Sequence, residues 1–185
     1  GCNQCIVKDE KLCPYYKELK PLTEAIDSAD VIILTSPVYV YHCTGSMKAW
    51  LDHYGYRWML HRPNPDMYSK QGVCISTAAG AGMKWTNKDM ADSMFFWGMG
   101  KIYRYGTAAH ALNYKSISPK KMEEIEKATD KLAEKIRRNY GHVKPGLKTK
   151  AYFEVMRKLV KSGWNEVDVA YWKEHGWTEK ARPWK

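Results

Sequence analysis

The sequence predicts an α/β fold with a doubly wound parallel sheet, and three observations carry that prediction. Val31-Ile32-Ile33-Leu34 is a continuous apolar, β-branched run of the length of a strand buried on both faces. A second run, Gly72-Val73-Cys74-Ile75-Ser76, has the same character, and each run leads through a loop into a helical pattern. The resulting order, helix, strand, helix, strand, helix, strand, helix, is the order of a sheet wound with crossover helices.

Element by element, Pro14 and Pro21 suit the first turns of one helix or of two short ones, and Leu19, Leu22, Ile26 and Ala29 recur at helical spacing before the strand at 31–34. Gly45 and Ser46 precede a helix marked by Met47, Trp50, Leu51, Tyr54 and Trp58, which Pro63-Asn64-Pro65 ends. After the second strand, Thr86 with Asp89 three residues on reads as a helix start close to a capping box. Lys101-Ile102-Tyr103-Arg104-Tyr105-Gly106 alternates like a third strand near an edge. Ser118-Pro119 is an N-cap and first-turn pair for a helix that turns Met122, Ile125, Leu132 and Ile136 inward. Three strands make a small sheet of this type, where about five are usual. The first two, with their helix, are expected either before Gly1 or from another chain.

The 185 residues, 44% hydrophobic, suffice for one globular core, and no apolar run approaches the length of a membrane span. A cytoplasmic protein is expected. Lys and Arg exceed Asp and Glu by ten, and half of that excess lies in residues 141–185. No nucleic-acid-binding signature accompanies it, so nucleic acid is not an expected partner; a solvated basic tail suited to an acidic partner or a phosphate-bearing ligand is. Residues 1–140 therefore read as the main domain. Residues 141–185, with Gly141, Pro145 and Gly146 as a linker and four of the eight tryptophans, read as an extension that packs on its own domain or on a second subunit.

The loops after the first two strands, Thr35-Ser36-Pro37-Val38-Tyr39 and Ser76-Thr77-Ala78-Ala79-Gly80-Ala81-Gly82, lie where an open α/β sheet builds its ligand crevice. Together with Gly45, Lys48-Ala49, Leu51, Asp52, Gly98-Met99 and the cysteine-rich start, they resemble the flavodoxin-like NAD(P)H-dependent FMN reductases, a family that includes the iron–sulfur flavoproteins. Tyr171-Trp172, Gly176-Trp177 and Arg182-Pro183-Trp184 look like the C-terminal extension of one bacterial and archaeal branch. The resemblance implies bound FMN, with Ser36, Pro37, Val38, Tyr39 and Val40 bordering the isoalloxazine. Thr77, Ala78, Ala79, Gly80 and Gly82 would present main-chain groups to its pyrimidine edge, and Tyr39 either lies beside the ring or only packs. The family's phosphate-binding loop follows its first strand and is not in this sequence. NADH or NADPH as electron donor, a small acceptor such as a quinone, and a homodimer or higher oligomer are further implications.

Cys2, Cys5 and Cys13 are spaced as thiolate ligands of a soft metal. Aligned with the iron–sulfur flavoproteins they take the second to fourth places of a [4Fe–4S] motif, with the first falling before Gly1. Zinc lacks a histidine nearby in sequence to complete its set, and free thiols are the remaining alternative. Cys74 reads as a small buried hydrophobe. His42, His53 and His61 have no carboxylate or cysteine partner at a spacing that argues for a triad or a metal site, and Lys48 with Asp52 reads as a solvated helical pair. The leading expectation is an FMN-dependent oxidoreductase with no protein acid or base in the chemistry. The alternative is a non-catalytic flavin and iron–sulfur electron-transfer module that serves an acidic, ferredoxin-like partner.

Overall fold

A computed structural model describes residues 2–111 and 113–184. The elements are α1 (Gln4–Val7), α2 (Tyr16–Ser28), β1 (Val31–Pro37), α3 (Gly45–His53), β2 (Gln71–Ala78), α4 (Met83–Phe96), β3 (Lys101–Ala108), α5 (Pro119–Asn139), α6 (Leu147–Lys161) and α7 (Glu166–Glu174). The three strands form one sheet in the order β1-β2-β3, and both pairings are parallel. This is the α/β architecture expected, with helices flanking a parallel sheet. The register pairs Ser36 with Ser76 and Pro37 with Thr77, so the loops that leave β1 and β2 start side by side.

Two cores stabilise the molecule. In the first, Ile32, Leu34 and Cys74 of the sheet meet Leu51 of α3 and Met90 and Met94 of α4, with Tyr54 and Trp97 closing the ends. Gly72 gives the methionines room there, because a Cβ would come within 2.5 Å of the Met94 sulfur and force that side chain to move. In the second, Phe153, Met156 and Val160 of α6 and Trp172 of α7 enclose Met59 and Tyr68 together with Trp177. Phe153 stacks on Trp172 at 4.7 Å between ring centres, and Tyr152 meets Phe95 edge-on at 5.4 Å. The tryptophan-rich extension thus packs on its own chain.

Several local expectations are corrected. β1 is not covered on both faces: Ile32 and Leu34 are buried but Ile33 is 56% exposed, although Val73 beside it in register is buried. The cause is the placement of α5. Its Ile136 carbonyl accepts from Gln71 Nε2 at 3.0 Å, and Gln71 accepts from the Tyr103 hydroxyl at 2.9 Å, so α5 is tied to the start of β2, away from Ile33. α2 is one helix with Pro21 inside it; Pro21 and Lys17 are both exposed, so the carbonyl left without an amide donor faces solvent. α3 ends at His53 rather than near Pro63, and Trp58 lies beyond it. α4 begins at Met83, not Thr86. Gly82 takes the cap position in a left-handed conformation, while buried Thr86 turns its hydroxyl back to the Gly82 carbonyl at 3.3 Å. Both Thr77 and Ala78 belong to β2 rather than to the loop.

Candidate functional site

The β1–α3 loop is built by short polar contacts within itself. Ser36 is buried because its hydroxyl is used internally: it donates to the Pro37 carbonyl at 2.8 Å and accepts from Thr44 N at 3.1 Å. Thr44 then caps α3 by accepting from Met47 N at 3.2 Å. Between these anchors Tyr39 and His42 exchange main-chain hydrogen bonds of 3.0 Å each around Val40 and Tyr41, which both have positive φ (48° and 68°). A β-branched residue in that region is strained. Val40 is 93% exposed, and Tyr39 and Tyr41 are exposed beside it.

The β2–α4 loop closes on this turn. Val38 N donates to the Thr77 carbonyl at 2.9 Å, and a Cβ on Gly82 would lie 2.5 Å from Val38 Cγ1 and 3.2 Å from Tyr41 Cα. Gly82 has φ 102°, so both conformation and contact demand glycine. At Gly80, by contrast, the space around the Cβ position is open. Among the described residues the amides of Ala79, Gly80, Ala81 and Gly82 donate to no backbone acceptor. The structure therefore brings Val38, Tyr39, Val40, Thr77, Ala78, Ala79, Gly80 and Gly82 together in one surface feature with Pro37 at its base, whereas the Ser36 side chain serves the loop's own geometry.

A cavity of about 990 Å³ lies elsewhere, along α3 and α4. Cys2, Cys5 and Cys13 all line it, with His53, Trp58 and Phe96 among the other wall residues, while none of the loop residues above does. Open amide donors are a ligand-directed feature, whereas cavity size alone is not. All five cysteines are free. Burial, and then the nearby Cys13 and Cys2, push the Cys5 thiol above its ordinary value; burial pushes Cys74 up to about 12. Among the described residues no three His, Cys, Asp or Glu groups stand at metal-holding geometry. The sulfurs suit a soft metal chemically, but three cysteines are one short of the usual cubane set.

Sequence spacing offers no partner for His42, His53 or His61, and the fold supplies one for each; His42 lies at the surface, whereas His61 is buried. His53 Nδ1 stands 3.7 Å from Cys13 Sγ, a partnership 40 residues apart in sequence. His42 Nδ1 meets Asp89 Oδ2 at 3.0 Å, and the same oxygen accepts from Cys43 N at 3.1 Å, so Asp89 ties α4 to the end of the first loop. His61 Nδ1 meets the fully buried Asp168 at 2.8 Å. Lys48 and Asp52 do form the expected exposed helical pair. Asp168 and Arg62, which organise these contacts, carry no spacing signal, and the spacing of Asp89 from Thr86 pointed to a helix cap instead, because each bridges segments that only the fold brings together.

The architecture is a parallel α/β sheet with two adjoining loops at its carboxyl end. The chain belongs to the NADPH-dependent FMN reductase family, whose pattern matches residues 2–112. It is 33% identical over 85 residues to an iron-sulfur flavoprotein of Archaeoglobus fulgidus, covering 44% of this chain and 34% of that protein. Among solved structures it resembles the apo form of an NADH:FMN oxidoreductase at 17% identity and TM-score 0.45, over 69% of this chain and 63% of that one. An FMN-dependent NADH-azoreductase from Bacillus anthracis, in complex with FMN, aligns at 12% identity and TM-score 0.46, over 68% of this chain and 65% of that one. The chain spans about a third of the curated relative and less than two thirds of these two structures. No helix among the described residues is long and apolar enough to cross a membrane.

Proposed function

We propose that the protein is an FMN-dependent oxidoreductase that takes electrons from NADH or NADPH and passes them to a small acceptor such as a quinone. The observation that carries this reading is the pairing of the two loops, with the amides of Ala79 to Gly82 open to a ligand and Gly82 locked against Val38. Pro37, Val38, Tyr39 and Val40 would border the flavin ring, and Thr77, Ala78, Ala79, Gly80 and Gly82 would hold its polar edge through main-chain atoms. Ser36 shapes the loop from beneath. FMN, when bound, supplies the redox chemistry, and the protein supplies placement and exclusion of side reactions. Residues 1–140 carry this site, and residues 141–185 complete the second core. Two copies are expected to associate as a homodimer. Quenching of flavin fluorescence on titration with the protein tests the cofactor, and steady-state oxidation of NADH and NADPH with a quinone tests the reaction. A protein that takes up no FMN removes the reading.

The cavity that gathers Cys2, Cys5 and Cys13 supports a second reading, an electron-transfer module with a [4Fe–4S] cluster that exchanges electrons with a ferredoxin-like protein. Those three cysteines would hold the cluster, which would add a one-electron store. Flavin that is reduced by a protein donor but not by NADH or NADPH favours this alternative.

A further inference from the structure

Asp168 of α7 is fully buried, and two of its hydrogen-bond partners, Arg62 and Asn165, reach the cysteine-bearing start of the chain. Its Oδ1 accepts from Arg62 Nη1 at 2.6 Å. Arg62 in turn donates from Nη1 to the Ile6 carbonyl at 3.0 Å and from Nη2 to the Cys5 carbonyl. Its side chain is only 9% exposed. Asp168 Oδ2 accepts from Asn165 Nδ2 at 2.8 Å, and that amide also donates to the Ile6 carbonyl at 3.2 Å. The same oxygen accepts from His61 Nδ1 at 2.8 Å. This holds the His61 ring with Nε2 free of any partner among the described residues, on the wall of the thiol-lined cavity.

Two carbonyls on one short helical turn are thus gripped by a guanidinium and an amide, both set by one carboxylate more than 100 residues away. α1 has only four residues and buries none, so it has little packing of its own to fix it. Charge-assisted, low-solvent hydrogen bonds are the strongest restraint on it in sight. We propose that the C-terminal extension is the positioning element of the thiol centre: Asp168, through Arg62 and Asn165, holds the Cys5 turn against the cavity and turns His61 toward it. The proposal rests on the thiol centre named above, but not on what that centre binds.

The test is site-resolved alkylation of the native protein with iodoacetamide, read by peptide mass spectrometry, for wild type, Asp168→Asn and Arg62→Lys. Arg62→Lys keeps the charge opposite Asp168 but cannot fork to the two carbonyls, so it remains informative if Asp168→Asn does not fold. Cys74, buried in the sheet, is the internal reference. The expected result is a rise of about tenfold or more in the Cys5 rate relative to Cys74, as loss of one charge-assisted hydrogen bond implies. FMN titration curves should stay unchanged in Arg62→Lys. A Cys5 rate that does not move, or that rises only in step with Cys74, overturns the proposal, because a merely structural contact would open both together. Failure of wild type to bind FMN would instead remove the functional reading and leave this result standing.

Discussion

At the scale of single residues, Gly82 and Asp27 show how local chemistry sets the two ends of the molecule. Gly82 holds φ 102° while its Cα faces Val38 and Tyr41, so Gly82→Ala meets both a conformational penalty and a clash. A loss of about 1–3 kcal/mol is expected for that strain, read in urea unfolding, together with markedly weaker FMN uptake. Gly80→Ala, where space is open, should change unfolding little. Equal effects from the two substitutions would remove the close approach of the loops as the reason for glycine.

Asp27, at the far end of the sheet, receives Arg57 through both nitrogens, at 2.5 and 2.7 Å, and Asn64 Nδ2 at 3.0 Å. Burial, the largest single influence, pushes its carboxyl up, but the Arg57 and Asn64 hydrogen bonds and the nearby cations together outweigh it and hold it below the ordinary value. A depressed carboxyl contributes stability that is present above the unfolded value of about 3.9 and is lost as the pH falls through the folded one. Asp27→Asn should therefore lower stability at neutral pH and flatten its decline in acid. Melting curves across that acid window decide this, and an acid limb identical to wild type would assign the decline to other carboxylates.

At the scale of elements, α6 carries the second core through one face. Phe153 is fully buried between Trp172, Trp177 and Tyr68, so Phe153→Ala removes a ring that no neighbour can replace. A loss of about 3–5 kcal/mol is expected, against about 0.5 kcal/mol or less for a substitution at the exposed Val155. Thermal melts of the two variants would separate the cases, and similar melts would mean that α6 does not depend on its inner face. Much of this level was legible in the sequence. Strands β1 and β2 announced themselves as β-branched runs, and Ser118-Pro119 marked the start of α5 because capping is chemistry local to a few residues. The end of α3 was not legible, because Trp58 falls at helical spacing while the chain has already left the helix for a tight turn. Nor was the bare face of β1, since coverage depends on where α5 lies and not on the composition of the strand. The two candidate loops could be located from the strands that precede them, whereas the partners of His53 and His61 lie 40 and 107 residues away, beyond any spacing rule.

At the scale of the whole molecule, the two cores share α4 and the segment that follows α3. α4 lends Met90 and Met94 to the first and Phe95 to the margin of the second, and Met59 N donates to the Phe96 carbonyl at 2.6 Å. Residues 141–185 are thus joined to the sheet by packing and, through Asp168, to the cysteine turn. Net stabilities of small domains are only about 5–15 kcal/mol, which is less than the sum of the buried aromatic contacts that such a deletion would strip. Removal of residues 146–185 should consequently abolish the cooperative thermal transition, expose Met59 and Tyr68 to a hydrophobic dye, and lose flavin binding as a result of unfolding. If the extension served only to join subunits, the shortened chain would melt cooperatively, bind no dye and sediment as a 145-residue monomer, at about two fifths of the mass of a full-length dimer of two 185-residue chains. Near-ultraviolet circular dichroism and sedimentation on the same sample distinguish the two outcomes, since the first removes the aromatic signal of the remaining tryptophans and the second preserves it.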